Sequence, residues 1–550
     1  MLDSIYISSN SGQAEQSNAG SRACIPSYGD LAWLNLSIEF LRWLKYRCTQ
    51  GLVKIMRSAA DYLGSLQDGR TVYYRGERVR DITSHPVLKI PVQHSARLFS
   101  LRDTDSLRKE LVVTDRQLGD ISGFFLIPTS SSDLLYRSKI IALSTRASGG
   151  VFNITQVIGS DALFALSIVA KRMAKESAER VQSLWRRAAK EDLALAVAQT
   201  DVKGDRSKRP HEQRERDMYL RVVERRSDGI VVRGAKAHTT QSITSNEIVV
   251  LPSRSLTAAD RDYAVAFSVP ANAKGLKLIV RPMLEIEGLP TQKDAPVSSR
   301  DAEAESLTIF DDVFVPADRV FLDGDWKLAG ELANLFALYH RFTAISYRPV
   351  TCDLYIGAAR LAAKSNGITE KSHVKDALLD MVLYREYMEM AATAACHASR
   401  LDSISGVAIP NELYTNLGKL NSNAAFHEFI SRLVDIAGGL VSTLPGSEDL
   451  DNKEESEYIL KYLEGSEETL GDRYRIMRLV RELVGGPFTG YMLGWMTHAE
   501  GSVQASKIAM LRAYDFTGAE ELAVRAAGIG AVNEREGKTK RGQADRAKSE

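Results

Sequence analysis

The sequence predicts an α+β protein in three consecutive parts: an N-terminal helical domain, a middle β-barrel and a C-terminal helical bundle. Three observations carry this expectation. Apolar residues recur at helical spacing through the first third and again from about residue 328. Between those regions lie short runs rich in Val, Ile and Phe, separated by turn residues. The 550 residues, 44% hydrophobic and 26% charged, supply enough apolar surface for a large folded body.

Residues 1–57 read as an extension, rich in Ser, Asn and Gly at first and then helical in spacing from Leu31 to Arg57. The N-terminal domain, residues 58–195, opens with a helix over Ala59 to Leu66. A strand, turn and strand follow over Thr71 to Val79. Long amphipathic patterns dominate the rest, the clearest running from Asp161 to Ala189 with Leu163, Leu166, Val169 and Met173 at helical spacing. The middle β domain, residues 196–327, contains Gly229 to Gly234, Glu247 to Leu251, Ala264 to Val269 and Leu276 to Val280 as strand patterns. The C-terminal bundle, residues 328–532, carries helical periodicity over Leu354 to Lys364, His373 to Arg400 and Leu413 to Ile436. Residues 533–550 are charged, poor in large apolar side chains and read as a disordered tail.

Lys and Arg number 71 against 70 Asp and Glu, so no field of one sign draws the chain to nucleic acid or an anionic membrane. The four cysteines, Cys24, Cys48, Cys352 and Cys396, are too dispersed to suggest a paired thiolate ligand set. They fit a reduced, cytoplasmic setting. The apolar stretch Leu31 to Tyr46 is broken by Glu39, Arg42 and Lys45, so neither a signal peptide nor a membrane span is expected.

The segment Gln199 to Pro210 joins the helical and β parts and combines Gly204 with hydroxyls and four cations. Such a loop offers backbone N–H groups and positive charge to a phosphate, and by composition it equally suits a solvated turn. Gly229 to Ser242 then reads as a strand ending in hydroxyl residues, and Leu307 to Pro316 contains Phe-Asp-Asp-Val. This order resembles the acyl-CoA dehydrogenases. The fuller match is to the family of 4-hydroxyphenylacetate 3-hydroxylase and 4-hydroxybutyryl-CoA dehydratase, over roughly residues 59–530. It is carried by Asp68-Gly69-Arg70, Arg75 to Val79 with Thr83 to Pro86, Asp201 to Arg206, and Gly234-Ala235-Lys236. Pro296 to Arg300 and Ala437 to Leu440 with Leu444-Pro445 extend it.

The resemblance implies an acyl-CoA-dehydrogenase-like fold with non-covalent FAD and a homo-oligomer, a tetramer or dimer of dimers. Lys203, Gly204, Asp205 and Arg206 fall on the family's flavin-contacting loop, and Thr240 on its hydroxyl residue near the flavin's central ring edge. Gly438 and Gly439 resemble the diglycine that approaches FAD from the C-terminal helices. A diphosphate needs unhindered donors and cations, and a reactive flavin needs a fixed donor near N5.

The dehydratase branch resembles this chain in its local wording but holds an iron–sulfur cluster on three cysteines and a histidine. Here His340 matches the histidine, Tyr347 stands where a cysteine is expected, Arg348 replaces the adjacent lysine, and Ser144 to Gly150 offers no cysteine pair. The hydroxylase branch uses reduced FAD and dioxygen with an arginine, a tyrosine and a histidine. Arg146 matches the arginine, whereas Gly150 and Val197 stand near the other two places. Arg146 reads as a binder of a substrate anion or a surface ion-pair partner, His340 as a base or donor over the flavin or a packing residue, and His238 as a donor or a polar strand residue. The resemblance therefore implies a monooxygenase that takes reduced FAD from a separate flavin reductase and acts with dioxygen on a small-molecule substrate. A cluster-free dehydratase, isomerase or dehydrogenase acting on an acyl thioester or amino-acid-derived substrate is the second expectation. No metal site is expected.

Overall fold

The computed structural model describes residues 56–283, 291–466 and 471–529. The expected extension, apart from Met56 and Arg57, and the expected tail lie outside these described residues. Helix α1 (Ala59–Gly64) starts at a reciprocal cap: Ser58 Oγ accepts from Asp61 N–H at 3.1 Å, and the Asp61 carboxylate accepts from Ser58 N–H at 3.1 Å. Strands β1 (Val72–Tyr74) and β2 (Glu77–Val79) turn through Arg75 and Gly76, both with positive φ, as a two-residue hairpin requires. Helices α2 (Lys89–Ser100) and α3 (Asp105–Leu111) and the hairpin β3 (Val112–Asp115) and β4 (Gly119–Ser122) follow, then α4 (Ser131–Ala147).

The amphipathic pattern from Asp161 to Ala189 is carried by two helices, α5 (Val157–Ala170) and α6 (Lys175–Glu191). They differ in environment. Every residue of α5 except Ser167 is buried, so it is a core helix without a polar face, whereas α6 buries Val181, Leu184, Ala188 and Ala189 and exposes its charged side.

The middle region contains β5 (Leu195–Ala198), β6 (Arg221–Arg226), β7 (Gly229–Thr240), β8 (Glu247–Val250), β9 (Val265–Pro270), β10 (Leu276–Val280), β11 (Glu305–Pro316) and β12 (Val320–Asp323). They do not close into the expected barrel. Six strands run in the order β2-β1-β10-β11-β7-β6 and four in the order β12-β9-β8-β5, leaving both sheets open. The hairpin from the N-terminal part is thus built into the larger sheet, with β1 parallel to β10. Edge strand β6 carries Arg225, paired with Asp262 and Asp323, and Arg226, paired with Glu224. A charged edge discourages the further pairing that closure needs. Outside the named strands, a bridge between Asp201 and Lys236 joins the end of β5 to β7.

The C-terminal part rests on three long helices, α7 (Trp326–Ser365), α8 (Ser372–His397) and α9 (Glu412–Ala437). Between α8 and α9, Arg400–Leu401 and Ala408–Ile409 form a short hairpin, β13 and β14. The helices share a core of Tyr355, Met381, Met388, Phe426 and Phe429. Gly418 permits their close approach, since a Cβ there would stand 2.7 Å from that of Ala391. Shorter helices α10 (Leu440–Thr443), α11 (Ser447–Asp451), α12 (Lys453–Tyr462), α13 (Asp472–Gly485), α14 (Pro487–His498), α15 (Val503–Ala513) and α16 (Phe516–Ala526) complete it. Among the described residues no helix is long and apolar enough to cross a membrane.

The bridge between the sheets is also a buried ion pair. Lys236 Nζ lies 2.8 Å from Asp201 Oδ1 and donates to the carbonyls of Gln199 at 2.9 Å and Leu251 at 3.0 Å, filling its three donor directions. Lys236→Met is expected to leave the Asp201 charge uncompensated and to cost about 3–5 kcal/mol in urea unfolding. Asp201→Asn combined with Lys236→Met is expected to lose less than the single change, because no buried charge is then left alone.

Candidate active site

Asp201 fixes the start of the cation loop. Besides Lys236 it accepts from Leu220 N–H at 3.1 Å and Ser253 Oγ at 2.6 Å. The chain then turns through Lys203 and Gly204 at φ 73° and 48°. Only glycine fits the second place, because a Cβ there would lie 2.2 Å from Met218 Sδ and 2.5 Å from Gln213 Oε1. Asp205 faces its own turn, accepting from Ser207 N–H at 3.0 Å and Ser207 Oγ at 2.7 Å, and these bonds hold its pKa below the usual carboxylate range. Both carboxylates of the loop are therefore occupied. Lys203 and Arg206 have no ion pair or hydrogen bond among the described residues. Burial lowers the Lys203 pKa, and the nearby charges of Arg206 and Arg254 add to that effect.

The end of β7 adds further donors. Pairing with β11 shifts between Ser306/Thr239 and Thr308/Lys236, and His238 at φ 58° occupies this bulge, so it faces solvent while Thr239 turns inward. Thr239 Oγ1 is buried with no partner. Thr240 stands opposite Glu305 in the ladder. His498, at the last turn of α14, has its pKa lowered by partial desolvation and then by Lys203, His238, Arg206 and Lys419, which places these groups around one another. Positive charge with no carboxylate of its own, beside a strand-end hydroxyl and a glycine turn, fits FAD, whose diphosphate and reduced ring are anionic.

Sequence reasoning singled out Lys203 to Arg206, His238 and Thr240 as candidates and gave no sign of His498 beside them. A lone histidine at the end of an unremarkable helix carries no local signal.

His340 and Tyr347 share one face of α7, two turns apart, and both approach Glu500. Tyr347 is fully buried and donates from its hydroxyl to Glu500 Oε1 at 2.9 Å. Arg348 Nη2 reaches Glu500 Oε2 at 2.6 Å, and the same guanidinium donates to Ser422 Oγ at 2.6 Å and Met496 O at 2.9 Å. Lys419 Nζ lies 3.4 Å from Glu500 Oε2. Burial opposes ionisation of Glu500, but Arg348 first, then Lys419 and His340, hold its pKa down to about 2. Burial and the Arg348 charge push Lys419 well below its ordinary value. His340 Nδ1 is 3.5 Å from Asp161 Oδ2 without hydrogen-bond geometry and has no hydrogen-bond partner; its ring stacks on Phe336 at 5.5 Å.

Rings of Phe152, Tyr347, Trp495 and Tyr491 stack in sequence, at centroid distances of 4.1, 5.1 and 6.2 Å. Trp495 and Tyr491 also line a cavity of about 360 Å³ between α13, α14 and the segment around residues 291–303. Glu303 on its wall is 2% exposed, and burial followed by the charge of Glu305 raises its pKa well above the ordinary value. Tyr491 donates to Glu305 Oε1 at 2.5 Å, and Arg281 pairs with the other oxygen of Glu305. His94 anchors the segment: its ring nitrogens meet Asp301 Oδ1 and Phe152 O, each at 3.0 Å.

Two expected contributors lie elsewhere. Arg146 ends α4 at the surface, 61% exposed, paired with Asp353, which also takes Arg385 at 3.1 Å. Gly438 and Gly439 follow the last turn of α9, exposed, and a Cβ at either would meet nothing within 4 Å. Nineteen residues of helical rise, about 28 Å along α9, separate Lys419 from Gly438.

Comparison with known proteins shows the family to which the chain belongs. Sequence models described as 4-hydroxyphenylacetate 3-hydroxylase N terminal and C terminal match residues 58–322 and 329–528. The chain belongs to this family. It is 31% identical over 493 residues to 4-hydroxybutyryl-CoA dehydratase/vinylacetyl-CoA-Delta-isomerase of Clostridium aminobutyricum, covering 86% of this chain and 100% of the relative. It is 29% identical to the 4-hydroxyphenylacetate 3-monooxygenase oxygenase component of Thermus thermophilus, over 78% of this chain and 88% of the relative. The solved 4-hydroxybutyryl-CoA dehydratase from N. maritimus superposes with a TM-score of 0.80 at 30% identity, covering 86% and 95% of the two chains. A 4-hydroxyphenylacetate 3-monooxygenase oxygenase component solved with FAD gives 0.80 at 25%, covering 87% and 99%. This family uses flavin.

An iron–sulfur cluster of the dehydratase kind does not fit the residues around His340. Tyr347, which stands where the resemblance calls for a thiolate, is clamped between Phe152 and Trp495. Among the described residues no three His, Cys, Asp or Glu side chains are grouped to hold a metal, and Cys352 and Cys396 are free and buried.

Glu500→Gln is expected to leave Arg348 and Lys419 buried without a counter-charge, lowering stability at neutral pH by about 3–5 kcal/mol in chemical denaturation. Because the folded pKa of Glu500 lies below its unfolded value, its contribution is present above the usual value of 4.5 and is lost as pH falls toward 2. The gap between wild type and variant should therefore narrow over that acid range.

Proposed function

We propose that the chain is the oxygenase of a two-component flavin system, taking reduced FAD from a separate flavin reductase and using dioxygen to hydroxylate or oxidise a small organic substrate. The observation that carries this reading is the pair of cations Lys203 and Arg206, which have no ion pair or hydrogen bond among the described residues, in the glycine-bearing loop between β5 and the strand that ends in Thr240. Bound FAD supplies the electrons that activate dioxygen. Lys203 and Arg206 hold its anionic part, Thr240 presents a donor at the ring edge, and Gly204 lets the loop backbone come close. The cavity walled by Trp495, Tyr491 and Phe488 excludes water from the substrate side.

A second reading, a cluster-free dehydratase, isomerase or dehydrogenase, is favoured by the 31% identity to a 4-hydroxybutyryl-CoA dehydratase. The aromatic packing around Tyr347 supports the oxygenase instead, because it fills the place where the resemblance to the dehydratase branch calls for a thiolate ligand.

The site is completed by a second copy. Gly438 and Gly439 are exposed, far along α9 from the cations, and suited to meet the FAD of a neighbour. Exposed Leu379, Leu383 and Met390 on α8 and exposed Leu511 and Leu522 on α15 and α16 supply apolar surface for the association. Light scattering on Leu511→Glu combined with Leu522→Glu should show a smaller assembly than wild type.

Anaerobic titration with reduced FAD should show binding that Lys203→Ala combined with Arg206→Ala weakens at least about tenfold, the loss of charge-assisted contacts. No binding of either redox form to folded wild type would refute the flavin reading. In stopped flow with oxygen, the complex should return to oxidised flavin in more than one phase. A single rapid step, as for free flavin, would favour redox-neutral chemistry.

A further inference from the structure

Among the buried groups, Glu303 stands out because it faces a cavity with an oxygen that nothing in the chain satisfies. Its Oε1 is buried and has no hydrogen-bond partner, while Oε2 lies 3.2 Å from the Tyr491 hydroxyl. The single proton of Tyr491 is committed to Glu305 Oε1, the shorter contact at 2.5 Å. Glu305 has its countercharge in Arg281, whose guanidinium also covers the Tyr491 ring at 4.0 Å and donates to the Glu303 carbonyl at 3.0 Å. An ionised Glu303 would then set an acceptor against a hydroxyl oxygen with no proton left to give, and would place a second buried carboxylate beside Glu305. A carboxylic acid removes both conflicts, since it donates to the Tyr491 oxygen and leaves Oε1 free.

We propose that Glu303 is a substrate-binding carboxylic acid, oriented by Tyr491, whose free oxygen takes the hydroxyl group of a small, largely apolar substrate. The remaining walls suit such a ligand: Met283, Phe488, Met492 and Trp495 supply an apolar and aromatic surface. With the acid's proton directed at the Tyr491 oxygen, the free Oε1 accepts from the substrate hydroxyl. An ammonium would instead call for a carboxylate. The assignment rests on the flavin-site reading through the ladder, in which Glu305, the partner of Tyr491, stands opposite Thr240 at the ring edge.

The test uses the full-length chain without added flavin. Infrared difference spectra of wild type against Glu303→Gln at neutral pH should show a protonated-carboxyl stretch in wild type alone, and phenol, used as a probe, should shift it. Calorimetric titration with phenol should show about tenfold weaker binding to Glu303→Ala, the loss of one hydrogen bond, and binding to Glu303→Gln within about threefold of wild type, since the amide also donates and accepts. Absence of the carboxyl band, a band that phenol leaves unmoved, or equal phenol affinity in Glu303→Ala would overturn the proposal. So would tighter binding of benzylamine than of phenol with loss of the band. The infrared readout on wild type decides the matter even if Glu303→Ala does not fold. Parallel titration with reduced FAD separates the two readings: intact flavin binding with no carboxyl band removes the Glu303 assignment alone.

Discussion

The buried pair of Asp201 and Lys236 is the constraint on which the site depends. It joins two open sheets at the point where the cation loop leaves β5, and it engages every donor of the ammonium and both oxygens of the carboxylate. Burying two charges is costly, and such a pair holds only when its remaining hydrogen bonds are filled. Here they are. Because Asp201 is spent on this joint and Asp205 on Ser207, the next cations, Lys203 and Arg206, keep their charge available for an external anion.

Two acids show how surroundings decide ionisation. Glu500 is surrounded by Arg348 and Lys419 and stays a carboxylate despite burial. Glu303 shares the guanidinium of Arg281 with Glu305, which pairs with it directly, so burial prevails. The aromatic row from Phe152 to Tyr491 lies between them and ties α7 to α14. A chain with 31% identity to a dehydratase thus carries packed rings where the resemblance calls for a metal ligand.

The order of helical, β and helical parts was legible because periodicities of about 3.6 and 2 are local properties of the chain. Strands over 229–234, 247–251 and 276–280 and the helices around 354–364, 373–400 and 413–436 appear where the pattern puts them. The barrel was not legible, since strand alternation specifies a buried face but not whether edges such as β6 find a partner. Nor was the break between α5 and α6, because a helix buried on all sides and an amphipathic one can follow each other without a change in apolar spacing.

By itself the sequence determined the family, the order of helical and β parts and the composition of the cation loop, since these reside in contiguous residues whose chemistry travels with them. Only the tertiary structure decided which charges are neutralised and which remain free. Glu303 meets Tyr491, Tyr347 meets Glu500, and the charge of Lys203 acts on His498 across more than 150 residues of chain. Whether each group is paired, buried or open to a ligand depends on that proximity, which no local pattern encodes.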